Sequence, residues 1–85
     1  MTKHKIEIAP LADYYVIAAK NQETGELIEA FTLNESATDM LRLFCEGKST
    51  TAVAKDIAEM YEIPEELALK DVSAFAEKLR KKGLI

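Results

Sequence analysis

One cysteine (Cys45), one histidine (His4), two prolines, three glycines and no tryptophan leave this 85-residue chain short of reactive and rigid parts. A lone cysteine cannot close an intrachain disulfide, and with His4 far from it in sequence there is no zinc ligand set. No metal and no cofactor are expected. No apolar run approaches the ~20 residues that cross a bilayer, and Met1-Thr2-Lys3-His4-Lys5 lacks the apolar stretch of a secretion signal. A cytoplasmic protein with no membrane partner is the expectation. A basic excess is missing too: 15 acidic residues outweigh 11 basic ones for a formal charge of -4, which speaks against a chain built to grip phosphate backbones.

What is present is apolar material, 48% of the residues, enough for one core but hardly two. A single domain over residues 1–85 follows. Ile6 and Ile8 flank Glu7 in a period-two pattern, and Pro10, with no amide hydrogen, ends or edges that first strand. Tyr14 to Ala19 is aromatic and β-branched, the clearest strand of the chain. Asn21 to Gly25 carries turn chemistry, and Leu27 to Leu33 resumes an extended pattern, so these two runs form a hairpin. On the third strand Leu27, Glu29, Phe31 and Leu33 share one face and Ile28, Ala30 and Thr32 the other. Both faces carry apolar residues, so both are expected to be at least partly covered.

Asn34 is a good cap for a first helix from about Glu35 to Cys45, with Ala37, Met40, Leu41, Phe44 and Cys45 inward and Gly47 as its stop. Ser49 or Thr50 caps a second helix whose stripe is Val53, Ile57, Met60 and Tyr61. Pro64, Glu65 and Glu66 suit the start of a third, with Ala68, Val72, Phe75 and Leu79 inward and Gly83 as a left-handed exit after Lys82. The fold class is α+β: a three-stranded antiparallel sheet followed by three helices, the last two forming a helix-turn-helix-like pair.

Little here looks catalytic. Glu65 with Glu66, or Asp56 with Glu59, have no histidine, lysine or nucleophile near them in sequence, and a solvated helix face accounts for them. Cys45 reads as a small core hydrophobe, and His4 as a bystander in a frayed terminus. Tyr14 and Tyr15 point to opposite faces, one outward and one inward. Ile28 and Ala30 are core or edge-face residues on one reading and the floor of a binding groove on the other.

The order Leu33-Asn34-Glu35, Leu41, Thr50-Thr51, Tyr61-Glu62-Ile63-Pro64-Glu65-Glu66, Asp71-Val72, Phe75, Leu79 and Lys82-Gly83-Leu84-Ile85 resembles the PqqD family of precursor-peptide (RiPP) recognition elements, from about Tyr15 onward. The resemblance implies a winged helix-turn-helix fold that binds the leader segment of a ribosomally made precursor peptide. It further implies presentation of that leader to a peptide-modifying enzyme, of the radical SAM class or similar, in PQQ-type cofactor or other peptide-derived biosynthesis. In that family the leader adds as a strand beside the third strand, here Leu27, Ile28, Glu29, Ala30, Phe31 and Thr32, and lies against the third helix. For the helix wall the expected residues are Leu69, Val72, Ser73, Ala76 and Arg80, because positions three and four apart line one flank. Ala68, Ser73 and Ala76 stand where family members often carry larger aliphatics, which implies a shallower groove or a bulkier leader.

The rival reading is a DNA-binding winged helix using Lys70, Lys78, Arg80, Lys81 and Lys82. Against it stand Glu65, Glu66, Asp71 and Glu77 on the same helix and the lack of an Asn/Gln/Arg set for base edges, so nucleic acid is not the expected partner. An adaptor that docks on an enzyme and binds no peptide is a third. A homodimer through the open strand edge also stays open.

Overall fold

The computed structural model describes residues 4–85. Met1, Thr2 and Lys3, part of the stretch read as lacking a secretion signal, lie outside them. Three strands, β1 (His4–Leu11), β2 (Tyr14–Asn21) and β3 (Leu27–Leu33), are followed by α1 (Glu35–Cys45), α2 (Thr50–Tyr61) and α3 (Glu65–Lys81). The sheet is antiparallel in the order β1-β2-β3, so both β1 and β3 are edges.

β1 is longer than the pattern around Ile6 and Ile8 suggests. Pro10 pairs with Tyr15 inside the strand, tolerated because β1 has a neighbour on one side alone. A two-residue turn joins Leu11 to Tyr14, with Ala12 held at φ 55. His4 begins β1 half-buried, near the Cα of Gly83, and is no frayed bystander. The β2–β3 turn is fastened by Asn21, whose Oδ1 accepts from the amides of Glu23 and Thr24 at 2.8 and 3.1 Å.

One face of the sheet meets the helices. Ile17 and Ala19 are buried there, with Ile6, Ile8, Tyr15, Phe31 and Leu33 packed around them. The other face, carrying Ala9, Val16, Ala18, Ala30 and Thr32, is covered by no helix or strand among the described residues, contrary to the expectation of two covered faces. The apolar residues there are mostly alanines, which have little surface to hide.

The caps form as their residue types dictate. Asn34 Oδ1 accepts from the amide of Ala37 at 2.9 Å, and Ser49 Oγ from that of Ala52 at 3.2 Å. Gly83 leaves α3 at φ 73, a left-handed value that only glycine adopts without strain. Glu62 closes α2 at φ 53 with no such freedom. The helical core differs in phase from the expected stripes: Ala54 and Ala58 join Val53 and Ile57, while Met60 is 53% exposed and Tyr61 partly so. Small residues let α2 approach α3 closely, and that contact turns the larger side chains outward. Cys45 is exposed rather than a core hydrophobe, although its thiol is shielded enough that desolvation raises its pKa.

Candidate functional site

β3 has a free margin. Its far side pairs with no strand among the described residues, leaving a row of backbone donors and acceptors unused. The strand is regular from Glu29 to Leu33, opposite Ala19 to Tyr15. Before that, Lys20 pairs with Leu27 and Ile28 is the extra residue of a bulge, so Leu27 does not continue the alternation of Glu29, Phe31 and Leu33. Leu27 and Ile28 are 55% and 52% exposed. Ala30 and Thr32 turn to the bare face of the sheet, so Ile28 and Ala30 are exposed edge-strand residues rather than core. Glu29, Phe31 and Leu33 are half-buried on the helical side.

α3 lies beside this margin without closing on it: no α3 residue brings its Cα within 8 Å of a β3 Cα. The gap is bridged at one end by Lys82, just past α3, whose Nζ sits 2.7 Å from Glu29 Oε2 and 4.6 Å from the centroid of the Phe31 ring. Lys82 still has helical backbone angles, so its contact fixes which flank of α3 faces β3. At 3.6 residues per turn, Lys78, Phe75, Ala74, Asp71 and Leu67 share the side of Lys82. Phe75 is half-buried against the core, Leu67 is 48% exposed, and Ala74, Asp71 and Lys78 are exposed.

That flank is not the one expected. Val72 and Ala76 are both 0% exposed, so they are core residues and offer no surface to a guest chain. Leu69, Ser73 and Arg80 are exposed but point to the far side of the helix. Arg80 lines a cavity of about 440 Å³ with Phe44, Cys45, Lys48, Leu84 and Ile85, away from β3. The structure joins β3 to Lys82 directly, and helical phase puts Leu67, Asp71, Ala74, Phe75 and Lys78 on the same side of α3 as Lys82. The sequence held a clue in the phase of Phe75, which sits on the sheet-side rim of the core stripe. Nothing in the sequence says which rim meets the sheet.

The remaining charged groups brace the scaffold. Lys20 bonds Glu7 across β1 and β2 at 2.8 Å and holds its carboxyl below the usual range. Lys48 pairs with Asp56, which raises the lysine pKa. Tyr61 donates to Asp39, tying α2 to α1, and desolvation together with that carboxylate pushes its pKa up to about 12. Among the described residues no cluster of three or more His, Cys, Asp or Glu could hold a metal, and no helix is long and apolar enough to cross a membrane.

Two solved structures share this architecture. TbiB1 in complex with the TbiA(beta) leader peptide aligns with a TM-score of 0.70 at 22% identity, covering 99% of this chain and 93% of that one. Lasso peptide synthetase B1 complexed with the leader peptide aligns with a TM-score of 0.67 at 22% identity, covering 96% and 95%. At such identity the likeness establishes the fold, three antiparallel strands followed by three helices. No curated protein matches the chain. The family model for coenzyme PQQ synthesis protein D matches residues 20–85, and the chain belongs to that PqqD family.

Proposed function

We propose that this protein is a non-catalytic chaperone, a single domain that binds the leader segment of a precursor peptide as a fourth strand on β3 and presents it to a peptide-modifying enzyme. One observation carries this reading: an unpaired strand margin on β3 lies beside the end of α3, where Lys82 reaches Glu29 and Phe31. An extended guest satisfies the margin whatever its sequence. Each backbone hydrogen bond contributes about 1 kcal/mol net, against about 1–2 kcal/mol of backbone entropy for each residue ordered, so the ladder alone roughly cancels. Affinity then comes from side chains. Two aliphatics buried against Phe31, Phe75 and Leu67 would contribute about 1.5–3 kcal/mol each. Two relatives of the same fold carry leader peptides in their solved structures, which supports the same role here. A cytoplasmic location fits it.

The test is a titration of isotope-labelled protein with peptides encoded by small open reading frames beside its gene. Amide shifts confined to Glu29–Leu33 and the Leu67–Lys82 flank are the expected result. Shifts centred on the Arg80 cavity, or tight and steeply salt-dependent binding of duplex DNA with no peptide effect, would overturn it.

A further inference from the structure

Resting on the leader-binding reading, we infer that the groove selects a guest carrying a carboxylate side chain next to its apolar anchor, seated between Lys78 and Lys82. These two ammonium groups stand one helical turn apart on the flank that faces β3, where like charges repel. The positions that could relieve Lys78 from within the helix, three and four residues away on that side, are Ala74, Phe75, Lys81 and Lys82. Lys78 makes no ion pair among the described residues, whereas Arg80 has Glu77 at 3.6 Å and Lys82 has Glu29. Asp71 lies two turns back, about 10 Å along the axis. The end of the groove therefore holds two cations against one anion.

Stabilisation of the helix C-terminus does not account for that placement. Cations are favoured at the last turn in any direction, and Arg80 and Lys81 already supply them elsewhere on the helix. What is particular to Lys78 and Lys82 is where they sit. A strand laid along β3 turns alternate side chains toward α3, about 6.6 Å apart. With one of these against Phe31 and Phe75, the next inward position reaches the two ammonium groups. A carboxylate there accepts from Lys78 and shares Lys82 with Glu29, which already orients the Lys82 side chain over Phe31.

The test uses a phage-displayed library of random peptides, selected on the wild-type domain and on Lys78→Glu. Wild-type selections should enrich Asp or Glu at a fixed spacing from an aliphatic or aromatic residue, and Lys78→Glu should reverse that preference toward Lys or Arg. A synthetic acidic binder should lose about tenfold in affinity for Lys78→Glu and about threefold for Lys78→Gln at low salt. The neutral variant keeps the test decisive if charge reversal disturbs folding. Binders that perturb β3 and α3 amides without an acidic preference would overturn this inference and leave strand capture standing. Failure to enrich any binder would overturn both.

Discussion

The two flanks of α3 meet different fates. Toward α2 the helix is sealed, with Ala68, Val72 and Ala76 wholly buried against a neighbour whose contact residues include Ala54 and Ala58. Toward β3 its backbone stays further off, and the Lys82 side chain reaches across to Glu29 and Phe31. The sheet edges show a similar asymmetry. β1 carries Pro10 and the exposed Lys5, features that blunt strand addition, whereas the regular part of β3 has neither. One helix thus anchors the domain with one side and leaves a berth with the other.

The largest expected effect comes from charging the sealed side. Ala76→Glu places an unpaired carboxylate in the core and should cost several kcal/mol, a large part of the 5–15 kcal/mol that holds a typical domain together. A chemical-denaturation curve with a near-normal midpoint would show that this side is not sealed. Next, Ala30→Pro should abolish peptide binding while the circular dichroism spectrum keeps its helical signal, since proline distorts β3 and removes a donor. Undiminished binding would mean that β3 is not the docking strand.

A smaller contrast separates the flanks directly. Ala74→Glu should weaken peptide capture about tenfold, and Ser73→Glu, on the far side, by less than about twofold in the same calorimetric titration. The reverse ranking would restore the Leu69, Ser73 and Arg80 wall. At the joint between α2 and α3, Glu62→Gly should stabilise the domain by about 1 kcal/mol and raise its melting temperature by about 4–8 °C, because glycine adopts the left-handed cap without a Cβ clash. Smallest is an alkaline effect at Tyr61. Its folded pKa, about 12, lies above its ordinary value near 10, so the folded state keeps a proton that the unfolded chain releases. Stability is unaffected by Tyr61 below pH 10 and falls as pH rises from 10 toward 12. Tyr61→Phe should flatten that limb of the melting-temperature profile, and an unchanged slope would assign it to other groups.

Much of the fold was legible because local chemistry dictates it. Asn34, Ser49, Gly47 and Gly83 mark helix ends through caps and positive φ, and all four do so in the structure. The edge role of β3 followed from the resemblance and agrees with the strand order. What failed depends on tertiary phase. A helix with a central apolar stripe has two equivalent rims, and only the seating of the sheet decides which one meets it; Leu69, Ser73 and Arg80 lie on the rim opposite Lys82. Val72 and Ala76 lie too near the centre of the stripe to be surface. Hydrophobicity places Met60, Tyr61 and Cys45 inside, but Ala54 and Ala58 take the inward positions of α2 and Cys45 ends α1 exposed. Pro10 allows a strand end or an edge strand, and the structure takes the second, since β1 is an edge and Pro10 pairs with Tyr15 inside it.

The bulge at Ile28 has a bearing on how much of a visitor can be read. It breaks the regular spacing of β3 just before Glu29 and limits the straight track to Glu29–Leu33, about 16 Å at 3.3 Å per residue. Over such a span an alternating chain turns only two or three of its side chains inward. With β3 as the docking strand, recognition would be confined to a very short word, leaving the rest of any longer tail free to reach an active site elsewhere.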